Sequence, residues 1–261
     1  MRRIQFIEIH DQPWFPTSLR DDVIDALQFG LSLLKTYASI GPLLHAALDS
    51  ARNRSVIDMC SGGGGPWLYL SRKVSGGAQA IRVCLTDKYP NVRAFENLSA
   101  ASEDRITFSL DSVDATNVPA ELNGFRTMFT SFHHFSPDQA RAILQNAVDD
   151  GRDIGIFETT KRSPLTISLM LPWALMPIFF TPWIRPFRWS RLFWTYVTPV
   201  IPFVFLFDGI VSCLRTYRPD ELREMVGDLT AAGYHWQIGE QSGMPGEMPI
   251  TYLIGCAPAR P

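Results

Sequence analysis

The sequence predicts an α/β protein with a doubly wound, mostly parallel seven-stranded sheet and an antiparallel edge strand. An N-terminal helical cap and an apolar helical insertion after the fifth strand complete the prediction. Three observations lead there. Short apolar runs alternate with helical periodicities, as βαβ units require. A run of four glycines follows the first apolar run after a single serine. A single break in composition interrupts the alternation: residues 163–207 contain no acid, and their only bases are Arg185, Arg188 and Arg191.

Taken in order, residues after Ser18 carry a helical stripe of Leu19, Val23, Leu27, Leu31 and Leu34, suited to packing on the sheet or over its mouth. Ser55–Cys60 reads as the first strand, the glycine turn follows, and Trp67–Lys73 continues at helical spacing. Val83–Thr86 is the second strand, with Val92–Ala101 helical after Pro90. Ile106–Leu110, Thr127–Phe132 and Ile154–Phe157 are further strands. Ser136-Pro137-Asp138-Gln139 starts a helix, with Ser as N-cap, Pro at the first helical position and Gln closing a capping box; Gly151 ends it after about Asp149. Pro219 opens a helix with Leu222, Met225, Val226 and Leu229 on one face, ended by Gly233. Tyr234–Ile238 and Ile250–Cys256 close the sheet as an antiparallel pair. The organisation is therefore a cap (1–50), a sheet core (51–160), an insertion (161–208) and a C-terminal return to the core (209–261).

Composition narrows the function. The 261 residues have 46% apolar content and a net charge of −2, enough to build a core and without the basic runs that track phosphates. Nucleic acid is not an expected partner. Cys60, Cys84, Cys213 and Cys256 are scattered, so neither a disulfide framework nor a zinc site is expected, and no metal is assigned. The basic start Met1-Arg2-Arg3 meets Glu8, His10 and Asp11 too early for a secretory leader, which makes a reducing cytoplasmic setting the expectation.

The glycine turn Asp58-Met59-Cys60-Ser61-Gly62-Gly63-Gly64-Gly65-Pro66 lies where a doubly wound sheet holds nucleotide-like ligands. Spacing demotes three ligand classes. A phosphate loop needs Lys then Ser/Thr where Pro66-Trp67 stands. The dinucleotide fingerprint places Trp67 at its third glycine, which leaves a nicotinamide-dependent reductase as a disfavoured alternative. A hydrolase elbow needs glycine where Met59 precedes Ser61 by two.

The acid followed by alternate small residues, Asp58-x-Cys60-x-Gly62-x-Gly64, resembles the first motif of class I S-adenosylmethionine-dependent methyltransferases, with Cys60 in place of the usual glycine. Further landmarks follow in that family's order: Asp87 after the second strand, Val113-Asp114-Ala115-x-x-Val118-Pro119, and Phe129-Thr130-Ser131-Phe132-His133-His134-Phe135. The resemblance spans about Ser55–Phe157 and the closing strands, and is closest to the small-molecule C- and O-methyltransferases, the quinone-type branch among them. It implies S-adenosyl-L-methionine as cofactor, held by Asp58, Cys60, Ser61, Gly62, Gly64, Asp87, Asp114, Ala115 and Thr130. Asp87 would take both ribose hydroxyls, Asp114 would face the adenine amino group, and Thr130 would line the methyl-transfer site. As residues alone, Asp87 and Asp114 also suit helix N-caps or turns.

Three candidates for catalysis stand out. His133 and His134, adjacent on an expected strand, point to opposite faces, so one can face the pocket as a general base while the other packs or lies in a loop. Glu158, ending the fifth strand, can act as a base or anchor the insertion. The run Glu8–Pro16 mixes titratable and aromatic groups, so His10 and Trp14 are substrate-side candidates, or part of a surface lead-in.

Pro164–Ile184 is 21 residues without a charge, long enough to span a bilayer, but interrupted by Pro172, Pro177 and Pro182. Two apolar arms joined by an Arg/Trp-rich tip suit a membrane-interface element or an apolar lid; a true span is the third reading. Trp173 and Tyr217 join the substrate-side candidates on this account, Tyr217 and Arg215 also fitting a role in pinning the insertion. A lipophilic small-molecule acceptor is expected, and on the membrane-interface reading peripheral contact to the inner face of a membrane through 163–207. A catalytically silent, cofactor-binding membrane-associated sensor or scaffold is the non-enzyme alternative.

Overall fold

The computed structural model describes residues 1–51, 54–74, 81–103, 105–229, 233–242 and 248–258. They form two compact units, one of residues 1–34 and 160–217, the other of residues 35–159 and 218–261.

The larger unit holds one seven-stranded sheet in the order β3-β2-β1-β4-β5-β7-β6. Its parallel strands are β1 (Ser55–Asp58), β2 (Arg82–Leu85), β3 (Ile106–Phe108), β4 (Phe125–Phe129) and β5 (Ile154–Glu158). β6 (His235–Gln241) and β7 (Ile250–Cys256) supply the antiparallel edge, β7 running against both β5 and β6. β5 is buried along its whole length, which is why Ile154–Phe157 reads as a continuous apolar run rather than an alternation. The chain builds outward from β1 to β2 and β3, then returns to place β4 on β1's other side. The strand order therefore reverses between β1 and β4, and a crevice opens at their carboxyl ends.

The helices of this unit are α2 (Gly41–Ser50), α3 (Trp67–Val74), α4 (Val92–Ala101), α5 (Pro137–Asp149) and α9 (Pro219–Val226). The capping box read at Ser136 forms in both directions: the Ser136 hydroxyl accepts from Gln139 N–H, and the Gln139 side chain accepts from Ser136 N–H. α9 stops at Val226 with Gly227 as its C-cap, earlier than the sequence periodicity through Leu229 suggests. Leu229 is nonetheless buried, its N–H bonded to the Val226 carbonyl in a closing turn. Residues 230–232, at the end of the expected helix, lie outside the described residues.

The smaller unit joins α1 (Thr17–Leu33) to α6 (Pro164–Phe180), the four-residue α7 (Trp189–Leu192) and α8 (Val200–Arg215). Leu19, Val23 and Ala26 of α1 share a core with Ala174 and Met176 of α6 and Ile201, Val204 and Phe205 of α8. The α1 stripe thus meets the insertion helices, and its last member, Leu34, is exposed. The buried face of α1 also carries Asp22 and Asp25, which a reading confined to apolar residues passes over. Both acids face arginines of the insertion: Arg191 Nη2 donates to Asp25 Oδ2 at 2.5 Å, and Arg188 lies 3.6 Å from each of Asp22 and Asp25. Two of the three arginines of the expected Arg/Trp-rich tip thus face inward. Arg191 is buried and Arg188 half-buried, leaving Arg185 as the exposed arginine of the three.

Among the described residues, Pro164–Trp183 is long and apolar enough to cross a membrane by length and composition. Trp189–Val197 and Val200–Arg215 reach that length together only across a 77° bend.

Candidate functional site

The glycine turn leaves β1 at the point where the strand order reverses. Its backbone has positive φ at Cys60 (54°), Gly62 (52°), Gly64 (103°) and Gly65 (62°). Glycine adopts such angles freely, whereas a side chain at φ near 54° adds about 1–2 kcal/mol of strain, so Cys60 is held there by its surroundings. Gly64 has a second constraint: a Cβ there would lie 1.7 Å from Leu98 Cδ1 of α4.

Asp58 organises the turn from inside. Its carboxylate accepts from the Thr127 hydroxyl at 2.7 Å and the Ser61 hydroxyl at 2.8 Å, and its carbonyl accepts from Thr86 N–H at 2.8 Å. It is fully buried, and burial pushes its pKa up to about 7 against those two hydroxyl bonds. Ser61 N–H returns to the Thr86 carbonyl, so β1, β2 and β4 are tied together at one point. Asp58 and Ser61 therefore shape the turn from behind.

Asp87 faces the turn from the end of β2. Its Oδ2 accepts from Gly62 N–H and its Oδ1 from Tyr89 N–H, both at 2.8 Å. Asp114 accepts from both the N–H and hydroxyl of Thr116, which hold its pKa below the usual carboxylate value. Each acid therefore makes a turn bond to the residue two positions on, the local role the sequence left open for both. Beyond them lies a cavity of about 310 Å³ lined by Cys60, Lys88, Asp114, Ala115, Phe135 and Gln139 among others. Lys88 reaches Asp114 at 3.3 Å across its rim. The volume falls at the lower end of ordinary small-molecule sites.

At the end of β4 the chain departs from the sequence reading. The strand ends at Phe129 rather than Phe132, because Thr130 turns to φ 46° and the backbone enters a 3₁₀ turn over Phe132–His134. His133 and His134 consequently do not point to opposite faces: their rings lie 4.4 Å apart, tilted by 33°. Alternation applies only to extended backbone, and here the backbone has curled. Glu158 anchors this turn, accepting from Phe132 N–H at 2.7 Å and pairing with His133 Nδ1 at 2.7 Å; both side chains are buried. Thr130 Oγ1 bonds to the Tyr37 and Thr159 hydroxyls. Behind it Phe129 meets Tyr37 and Trp67 edge-on and stacks on Phe157. Trp67, at the position a dinucleotide fingerprint gives to glycine, is a fully buried packing residue.

The structure thus brings Cys60, Asp114 and Ala115 to one cavity, and Asp58, Ser61, Gly62, Gly64 and Asp87 to the adjoining turn. His133, His134, Glu158 and Thr130 gather at the carboxyl ends of β4 and β5. Phe135 closes the motif read after β4, whereas Lys88, Gln139 and Tyr37 escaped the sequence reading as site residues. Lys88 adjoins Asp87, and Gln139 belongs to the recognised capping box, so both carried a signal; Tyr37 carried none.

The substrate-side candidates all lie in the smaller unit. His10 Nδ1 bonds Asp208 Oδ2 at 2.8 Å, while Asp208 also accepts from the Ile9 and His10 N–H groups. Burial opposes a charge on His10, but Asp208 and the neighbouring Asp11 and Glu8 outweigh it and raise its pKa to about 9. Trp14 is exposed. Trp173 packs against Gly30 and Phe205, and Tyr217 is buried with the Arg3 guanidinium 4.1 Å above its ring.

No family profile and no curated protein sequence matches the chain. Solved structures do. The plantazolicin methyltransferase BpumL in complex with SAH superposes with a TM-score of 0.58 at 10% identity, over 96% of this chain and 95% of that one. TnmH gives 0.53 at 17% identity, over 92% of this chain and 59% of its own. An O-methyltransferase family protein from Burkholderia thailandensis gives 0.52 at 17%, over 91% and 60%. The chain spans about three fifths of the length of these last two. Its fold is that of the class I, Rossmann-like S-adenosylmethionine-dependent methyltransferases.

Proposed function

We propose that the protein is an S-adenosyl-L-methionine-dependent methyltransferase acting on a hydrophobic small molecule or lipid-like acceptor. The observation that carries this reading is the positive-φ glycine turn at the strand-order reversal, with Asp87 bonded to Gly62 and the Asp114 cavity beside it. These residues fit the cofactor. The glycines leave the backbone open to close approach, two carboxylates suit hydroxyl and amino donors, and the turn lacks the Lys-Ser/Thr pair of a phosphate cradle.

Asp87 would hold the ribose, Asp114 and Ala115 the adenine end, and Cys60, Gly62 and Gly64 the amino-acid end. The cofactor supplies an electrophilic methyl group whose departure leaves a neutral thioether. The protein's part is to align the acceptor with that methyl and keep water away. Among His133, His134 and Glu158 we take His133, oriented through Nδ1 by Glu158 and with His134 beside it, as the base for the acceptor's proton. The uncharged stretch of the smaller unit supports a lipophilic acceptor. Four cysteines without a disulfide support a reducing, cytoplasmic setting.

The test incubates purified protein with cofactor labelled in its methyl group and a detergent-solubilised cell extract, then separates organic, aqueous and protein fractions. The expected result is label in the organic phase with wild type and none with Asp87→Ala. Label in no fraction, from protein that binds the cofactor, would refute methyl transfer; label chiefly in the aqueous phase would refute the lipophilic acceptor.

A further inference from the structure

Among the described residues, 163–207 form the most exposed apolar stretch. Of the twenty-six large hydrophobic side chains that are exposed among the described residues, fifteen fall in this stretch. Trp189 is 78% exposed and Trp183 64%, and Leu165 and Phe179 are as open as Trp183. An apolar surface of this extent marks a contact with something other than water.

The polar groups on this surface indicate what that something is. A protein partner recognises a surface through about one hydrogen bond per 100–200 Å². Here three of the four exposed hydroxyl side chains already satisfy themselves internally. Ser168 Oγ donates to the Leu165 carbonyl at 2.8 Å, Tyr196 OH to the Ile178 carbonyl at 2.7 Å, and Ser190 Oγ to Asp22 at 2.7 Å. Inside the unit Thr181 and Thr195 pair through their hydroxyls. Groups that enter hydrocarbon must be satisfied in this way, since no water is there to take the place of a partner.

Charge points the same way. The stretch has no acid, and Arg188 and Arg191 are turned inward onto Asp21, Asp22 and Asp25. Arg185 is left as the exposed charge of the surface, between Trp183 and Trp189. Aromatic rings with a lone cation suit the headgroup level of an anionic leaflet. The geometry opposes a span. Pro172 and Pro177 lie inside α6, whose other side is committed to the core with α1 and α8.

We infer that the exposed face of α6–α8, with Trp183, Arg185 and Trp189 at its tip, docks peripherally on a lipid bilayer, with preference for anionic headgroups. The argument is independent of methyl transfer, and its test needs no activity. Purified full-length protein is sedimented with phosphatidylcholine vesicles, with and without phosphatidylglycerol. The expected result is binding to both, stronger with phosphatidylglycerol. The Trp183→Glu/Trp189→Glu double variant should lose about tenfold or more in partitioning. Leu110→Glu, an exposed apolar residue of the larger unit, should bind as wild type does. Unchanged thermal unfolding of the double variant shows that the fold is retained.

The inference is overturned if wild type stays in the supernatant, or if the double variant partitions equally. It is also overturned if the double variant converts a vesicle-free dimer to monomer, since a second copy then covers the face. Resistance of bound protein to alkaline carbonate would overturn it in favour of a span. None of these results bears on the labelled-methyl experiment, so either proposal can fail alone.

Discussion

Replacing Asp58 by Asn tests whether the glycine turn rests on a buried acid that prefers to be neutral. In its neutral form the carboxyl donates from Oδ2 to Ser61 Oγ, freeing the Ser61 hydroxyl for the Asp58 carbonyl, while Thr127 still donates to Oδ1. An Asn amide reproduces that pattern. Burial lifts the Asp58 pKa from 3.8 to about 7. Because the folded value lies above the unfolded one, the protonated group's stabilising contribution is complete below pH 3.8 and is lost as pH rises through 7. At 1.36 kcal/mol per tenfold change in proton affinity, the whole displacement is worth about 4 kcal/mol. Roughly 2 kcal/mol is already lost at pH 5 and nearly all by pH 8, leaving roughly 2–3 kcal/mol across that interval. Urea unfolding of wild type and Asp58→Asn, followed by circular dichroism at pH 5, 6, 7 and 8, measures it directly. The stability of the variant relative to wild type should rise by roughly 2–3 kcal/mol from pH 5 to pH 8. A difference constant to within about 0.5 kcal/mol would refute the neutral-acid account, because other titrating groups cancel between the two proteins.

Two further substitutions probe the packing of each unit. Gly64→Ala combines a positive φ of 103° with a Cβ directed at Leu98, and should cost about 2–4 kcal/mol. Adding Leu98→Ala should return part of that cost as a coupling above about 1 kcal/mol in a double-mutant cycle, and strict additivity would remove the clash as its cause. Arg191→Met leaves Asp22 and Asp25 short of a buried partner and should cost about 3–5 kcal/mol in urea unfolding. Arg185→Met, at an exposed position, should change stability by less than about 0.5 kcal/mol, so equal effects at 185 and 191 would sink the inward-pairing argument.

What the amino-acid sequence determined by itself is what acts over a few residues. The Ser136–Gln139 capping box, the breaks at Gly151 and Pro219, the apolar strands and the glycine turn follow from backbone freedom and side-chain reach within one turn of chain. Once strands and helices alternated, the parallel sheet and the carboxyl-end position of Asp58, Asp87 and Asp114 followed with little choice, since crossovers have one hand.

The tertiary structure decided whatever depends on distant partners. Arg188 and Arg191 read as part of an Arg/Trp-rich tip with no acid in reach until α1, some 166 residues earlier, supplied Asp22 and Asp25. His133 and His134 read as alternating until Thr130 left the strand and Glu158 drew the turn inward. Tyr37 had no motif to announce it, and joins the site through Thr130, 93 residues away. Periodicity records which face of an element is buried. It does not record which charge waits on the facing element, because that pairing is set by the path of the chain between them.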